Sequence, residues 1–245
     1  MTSEDVLCVI PARGGSKGLP RKNTRIIAGQ PLISYPIRAA IDSGVVGTII
    51  VTTDDREIAD AAEAAGATVP FLRPADISTD LATTEDALRH ALVSYEEQIG
   101  RQFEICVFLT CTDLFRKPAW LRESVTRLSE DTELESVFSG HATHKKFWME
   151  TDDGGFERLK PWMKMYQSRQ VQKAIYREDT GLTSASRAWL WREGRRIGDK
   201  VHIIANDDPA TGIDIHDEES FFLAEQMILY RREHGIEIGG DVVDG

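Results

Sequence analysis

Alternating strand and helix signals over the first two thirds of the chain predict an α/β fold, a parallel sheet with helices on both faces. Two observations carry that prediction. Short apolar runs rich in β-branched residues recur at 6–10, 48–53 and 104–110, the pattern of strands buried on both sides. Between them lie helix-like segments opened by Pro or Thr and closed by Gly. At 245 residues the chain fits one domain, 1–245, with an excursion.

The elements follow in order. The run 6–10 (VLCVI) is the first strand. Residues 31–43 form a helix that starts at Pro31 and stops at Gly44. The strand 48–53 ends at Asp54 and Asp55, and Asp54 is read either as a site carboxylate or as the N-cap of the Ala-rich helix 56–65, which Gly66 closes. A short strand covers 68–72, and a helix capped by Thr83 covers 84–99. A strand at 104–110, a helix at 118–129 and a strand at 135–139 complete the alternation. Residues 141–182 break it. They carry Trp, Met, Lys and Arg around the turn Asp152-Asp153-Gly154-Gly155, and read as a protruding hairpin or arm whose Phe147, Trp148, Trp162 and Met163 pack on something. Strands follow at 201–205 and 212–215. Asp217 then caps a helix running to about His234, acidic in its first turn and basic in its last, as the helix dipole favours. The closing GGDVVDG reads as a frayed end.

The loop after the first strand holds Gly14, Gly15 and Gly18 with Arg13, Lys17, Arg21 and Lys22. Glycines at the carboxyl end of a buried strand let backbone N–H groups approach an anion, and the cations offset its charge. The net charge is −11, so this basic cluster is a local exception that calls for an anionic ligand. The spacing fits neither the Walker loop nor the dinucleotide fingerprint, and with no ribose-binding acid about twenty residues on, a nicotinamide-dependent reductase is the weaker rival.

Residues 6–23 as a unit resemble the first motif of the CMP-sialic acid synthetases, the acylneuraminate cytidylyltransferase family. Ile10, Ala12, Arg13, Ser16, Lys17, Gly18, Lys22 and Asn23 carry the match. The resemblance implies the nucleotide-diphospho-sugar transferase fold, a Rossmann-like mixed sheet flanked by helices. It also implies a homodimer in which the arm 141–182 reaches over the second subunit, and transfer of CMP from CTP to an acidic acceptor with release of pyrophosphate. Lys22, Arg13 and Lys17 are then the catalytic cations, with Lys22 meeting the developing charge. Ala12, Arg13, Gly14, Gly15, Ser16, Asn23, Arg73 and Thr83 are the nucleotide-binding set.

Metal and acceptor residues follow from the same resemblance and show two departures. Residues 212–217 match a signature with two aspartates one residue apart, which on an extended strand point the same way and suit Mg²⁺. Here the second is His216, a poor Mg²⁺ ligand, so either Asp214 holds Mg²⁺ through water, or Asp113 joins it as candidate helper, or the metal is a softer one such as Mn²⁺. The loop 109–116 keeps only Leu109, Thr112 and Arg116 of the family pattern, with Thr110 in place of its sugar-recognising glutamine, and the later segment reads Thr180-Gly181-Leu182-Thr183-Ser184. Thr110, Lys146 and Arg169 fall at or near acceptor positions of that family, and Arg177 and Lys145 are added as cations able to bind the acceptor carboxylate. The expected acceptor is a nonulosonic acid of the sialic, legionaminic or pseudaminic type, with a different anion such as a phosphonate as the variant. An inactive nucleotide-binding module is the rival.

Bulk properties set the remaining expectations. Net negative charge argues against nucleic acid, and no stretch is long and apolar enough to span a bilayer. The first residues lack a basic region before their apolar run, and Cys8, Cys106 and Cys111 have no metal-like spacing. A cytoplasmic protein with reduced structural thiols is expected.

Overall fold

The structure is a computed structural model describing residues 1–15, 18–79, 81–168 and 170–240. Its elements are β1 (Val6–Pro11), β2 (Ile26–Ile27), β3 (Gln30–Pro31), α1 (Ser34–Ser43), β4 (Thr48–Thr52), α2 (Arg56–Ala64), α3 (Thr84–Ile99), β5 (Ile105–Phe108), α4 (Pro118–Glu130) and β6 (Ser136–Thr143). There follow β7 (Trp148–Glu150), β8 (Phe156–Arg158), β9 (Ile175–Glu178), β10 (Ser184–Arg187), α5 (Ala188–Arg192), β11 (Val201–Asn206) and α6 (Glu218–Glu233).

The main sheet runs β11-β6-β10-β5-β1-β4, with β9 also on β6. β1 pairs in parallel with β4 and β5, and β6 with β11. β1 is apolar throughout because both its faces are covered. Val6, Cys8 and Ile10 enter the larger core, while Leu7 and Val9 enter the second with Leu88 and Leu92 of α3 and Trp191 of α5.

The sheet is mixed, as the resemblance implies, and the parallel alternation of its first strands is interrupted by two antiparallel ones. β10 lies antiparallel between β5 and β6, and β9 antiparallel on β6. Gly140 pairs with Glu178 and Phe138 with Ser184, so residues 179–183 stand opposite Ser139 alone. Ser139 clasps this bulge: its carbonyl accepts from Asp179 N at 3.0 Å, its N–H donates to Thr183 O at 3.1 Å, and its Oγ donates to Asp179 O at 2.7 Å. The excursion thus returns through the centre of the sheet and turns out of it at 179–183.

Several predicted elements change. The helix expected from Pro31 begins at Ser34, since Pro31 pairs in the β2–β3 hairpin. Residues 68–72 make only isolated bridges, Thr68 to Ile50 and Leu72 to Thr53. Residues 212–215 form no strand because no neighbour offers them a ladder; a 3₁₀ turn, Pro209–Gly212, leads into irregular backbone. The hairpin β7–β8 forms its own two-stranded sheet around the predicted turn, as part of the excursion. Residues 241–245, most of the expected frayed end, lie outside the described residues.

Candidate active site

β1, β4 and β5 end side by side, so the loops after them leave from one edge of the sheet, where open α/β sheets bind ligands. The loops after β1 and β5, with the segment 73–87, enclose a cavity of about 490 Å³ whose lining includes Ala12, Arg13, Lys22, Asn23, Arg73 and Thr83. With Thr110 and His216, which also line it, eight residues proposed from the sequence converge on one space. Ser16 and Lys17 lie outside the described residues.

The first loop is built by close approaches. Ala12 N donates to Thr52 O at 3.0 Å, extending the β1–β4 ladder. Gly14 N donates to Asp54 Oδ1 at 2.9 Å, and a Cβ on Gly14 would sit 2.6 Å from Asp55 Oδ2. That N–H is thus directed to a carboxylate, while Gly15 has open space around its Cα. Arg21 adopts the left-handed conformation, φ 55°, and pairs with Glu57 on the surface, starting the 3₁₀ turn that sends Lys22 inward. Lys22 Nζ donates to Ile215 O at 2.8 Å, and burial lowers its pKa below the ordinary lysine value. Gly18 packs so tightly on the His216 carbonyl that any side chain would collide with it. The phosphate loop and the segment 214–216 are therefore one unit. Asn23, buried, donates through Nδ2 to Arg13 O at 3.1 Å and braces the loop from beneath.

The opposite wall is the segment 73–83. Arg73 Nε donates to Ser78 Oγ at 3.1 Å, and Arg73 Nη2 lies 3.9 Å from Asp54 Oδ1. Its burial lowers the guanidinium pKa and the Asp54 charge opposes the shift. Asp54 does not cap α2. Asp55 does, accepting from Glu57 N at 2.8 Å and Ile58 N at 3.3 Å, because it is the residue immediately before the first helical turn. Thr83 lines the cavity, but its hydroxyl closes the capping box of α3, donating to Asp86 Oδ2 at 2.7 Å.

A second cavity of about 340 Å³ is lined by Asp113, Arg177, Asp179, Thr211 and Asp214, among others. Asp113 accepts from Thr110 Oγ1 at 2.5 Å, and burial raises its pKa. Thr110 thus lines the first cavity while its hydroxyl serves the second. Arg116, fully buried, donates to the carbonyls of Thr110, Gly181 and Leu182, tying the loop after β5 to the 179–183 bulge. Burial lowers its pKa to about 10. His216 Nε2 lies 2.7 Å from Asp214 Oδ2, so the two candidate metal residues of this segment are in contact. Among the described residues no three His, Cys, Asp or Glu side chains converge into a metal cage. Asp113 and Asp214 share a cavity and repel each other electrostatically, which fits a divalent cation carried mainly by substrate phosphates and water.

Lys146 is not brought to either cavity. Its Nζ donates to Met165 O at 2.9 Å within the arm and stacks on Trp162 and Tyr166, and it lines a separate cavity with Lys145 and His144. Arg169 lies outside the described residues.

A family profile described as Cytidylyltransferase matches residues 7–190, which span the phosphate loop, the Arg73 wall, the Asp113 loop and the bulge. The chain belongs to the cytidylyltransferase family. Its relatives include a CMP-N,N'-diacetyllegionaminic acid synthase of Legionella pneumophila, 30% identical over 93% of this chain and 98% of that protein. A pseudaminic acid cytidylyltransferase of Campylobacter jejuni is 32% identical over 75% of this chain and 80% of the relative. An N-acylneuraminate cytidylyltransferase A of Danio rerio is 37% identical over 62% of this chain and 34% of its own. Among solved structures, a CMP:2-keto-3-deoxy-manno-octonic acid synthetase complexed with CTP superposes with a TM-score of 0.66 at 15% identity, covering 92% of this chain and 99% of the other. At that identity the likeness concerns the fold. These relatives place the chain among the CMP-sialic acid synthetase type, CTP-dependent nucleotidyltransferases.

In this cytidylyltransferase the sequence leaves two residues unassigned. Asp54 has two possible roles in sequence, and its contact with Gly14 N depends on a loop forty residues away. Asp179 was not singled out at all. It stands among Arg177, Glu178, Thr180 and Gly181, where nothing local marks it, and its position on the bulge depends on pairings with β6.

Proposed function

We propose that this cytidylyltransferase transfers CMP from CTP to a nonulosonic acid of the legionaminic, pseudaminic or sialic type. The observation that carries the reading is the adjacency of two cavities. One is lined by Arg13, Lys22, Asn23 and Arg73, and the other by Asp113, Asp214 and Arg177. The first suits a triphosphate and its base. The second offers a guanidinium for a carboxylate beside acids suited to a metal.

The reaction is a displacement at the α-phosphorus. An acceptor hydroxyl oxygen forms the new P–O bond, the bond to the bridging oxygen of the β-phosphate breaks, and pyrophosphate leaves. The hydroxyl proton passes to a carboxylate of the second cavity, for which Asp214, half-exposed, is the candidate base. Lys22, desolvated and held by Ile215 O, stabilises the charge that grows on the phosphate oxygens. Asp113 and Asp214 would hold Mg²⁺ or Mn²⁺, which supplies charge neutralisation of the triphosphate.

The protein acts as a homodimer on this reading. The support is the arm, whose Trp148, Phe156, Tyr166 and Val171 are exposed. A reducing cytoplasm suits the three buried free cysteines, and no helix among the described residues is long and apolar enough to cross a membrane. A pyrophosphate-release screen tests the central reading. CTP with legionaminic, pseudaminic or sialic acid releases pyrophosphate, and ATP, GTP and UTP do not. Release with none of these acids, or only with a phosphonate, overturns it.

A further inference from the structure

Arg177 differs from the other acceptor candidates in how its donors are used. Lys146 is committed to Met165 O and the Thr110 hydroxyl to Asp113. Arg177 gives only its Nε, to Asp179 Oδ1 at 2.8 Å, and makes no other side-chain hydrogen bond to a described residue. Its side chain is 58% exposed and lines the cavity that also holds Asp113 and Asp214. Both of those carboxylates act on the guanidinium electrostatically, and Asp179 does so most strongly. Three acids therefore compete for one cation.

Asp179 is the acid that cannot move. Its side chain is 7% exposed, and its backbone is fixed to Ser139 at both N–H and carbonyl, with Leu182 N donating to the same carbonyl at 3.1 Å. Its second oxygen, Oδ2, is buried without a hydrogen-bond partner among the described residues. A carboxylate held in that way, with one oxygen unsatisfied, is a costly arrangement for a residue whose task is stability alone.

We propose that Asp179 is a positioning residue for acceptor recognition. It holds Arg177 by Nε so that the two terminal nitrogens stay open as a fork for the acceptor carboxylate, and it keeps the guanidinium from collapsing onto Asp113 or Asp214. Arg177 touches the acceptor; Asp179 acts through it. The Nε–carboxylate bond leaves the outer edge of the guanidinium available for a bidentate pair, the geometry in which Arg recognises a planar anion. This inference rests on the proposed acceptor class. It adds that the carboxylate is read at the 177–179 turn.

The test compares Asp179→Ala, Asp179→Asn, Arg177→Ala and the Arg177→Ala/Asp179→Ala double variant with the parent protein, after the screen has given a working acid. Asp179→Ala raises the acceptor KM by about ten-fold, the order of loss when one orienting partner of a binding group is removed. The CTP KM stays within two-fold. Asp179→Asn, which keeps an oxygen acceptor for Nε, recovers most of the loss. On the Arg177→Ala background, Asp179→Ala adds nothing further. An unchanged acceptor KM in Asp179→Ala overturns the proposal, as does full additivity in the double variant. A loss that Asp179→Asn fails to recover, with equal lowering of the melting temperature in both, also overturns it by showing a structural role. If the parent protein turns over no sugar acid yet binds CTP, the acceptor reading itself has failed, and that result is distinct from the others.

Discussion

At the scale of single residues, Lys22 couples reactivity to a cost in stability. Burial lowers its pKa, so the folded state disfavours the charged form. The sign follows: a lysine depressed in the fold opposes folding while protonated, and that opposition is relieved as pH rises through its lowered pKa. Lys22→Met should therefore leave the melting temperature at neutral pH unchanged or higher, while pyrophosphate release falls by about 10²–10³-fold, the usual loss for a charge-stabilising donor. Equal turnover in the variant would exclude the role. The same shift places the alkaline fall in activity below the ordinary lysine range, which a pH–rate profile reads directly. His216 gives a second residue-scale prediction. It binds Asp214 and packs by its carbonyl on Gly18, and the backbone contact survives any side-chain change. His216→Asp should keep or raise activity with Mg²⁺; a collapse would assign the imidazole a task of its own.

At the scale of elements, the site is assembled by caps and turns more than by strands. Thr83 lies on the wall of the first cavity, yet its hydroxyl is engaged with Asp86. Thr83→Ala should cost about 1 kcal/mol of stability through the lost cap, visible in urea unfolding, with less than a three-fold change in the CTP KM. A large change in CTP affinity with unaltered stability would return the hydroxyl to the nucleotide. Gly181 is the corresponding position on the bulge: a Cβ there would overlap Asp113 Oδ2 and lie 2.8 Å from Thr110 Oγ1. Gly181→Ala should destabilise by about 1–3 kcal/mol and lower turnover with it, measured by melting and by pyrophosphate release.

The elements also show what the sequence could and could not reveal. Helix α3 was legible to its first and last residue, since Thr83, Asp86 and Gly100 are local signals. So was β1, whose apolar run is buried on both faces. β10 was not legible. Its Ser184-Ala185-Ser186 has no strand propensity, and its place rests on partners far away in sequence, such as the buried Ser136–Ser186 hydroxyl pair at 2.8 Å. The nucleotide cavity was readable because most of its predicted residues cluster in the loops 12–23 and 73–83. The Asp113–Arg177–Asp179–Asp214 cavity gathers three separate stretches of chain, and only folding sets their distances.

At the scale of the whole molecule, charge and apolar surface are distributed unevenly. The chain carries a net charge of −11, yet the nucleotide cavity is lined by Arg13, Lys22 and Arg73. Two anionic substrates are thus drawn to one edge of a repelling body. The apolar excess lies elsewhere, on the arm. Met163 is buried and anchors it, while Phe156 is 69% and Val171 68% exposed, with a cationic stretch, Lys145 and Lys146, nearby. Exposed aromatic and aliphatic side chains on one element mark an interaction surface. On the dimer proposed above, Phe156→Glu with Val171→Glu leaves each protomer folded, by circular dichroism, and converts a dimer to a monomer in sedimentation velocity. Because Lys146 reaches neither cavity of its own subunit, the monomer should also lose acceptor affinity while keeping CTP binding. A parent protein that sediments as a monomer, or a monomeric variant with unchanged acceptor KM, would place the whole acceptor site within one chain.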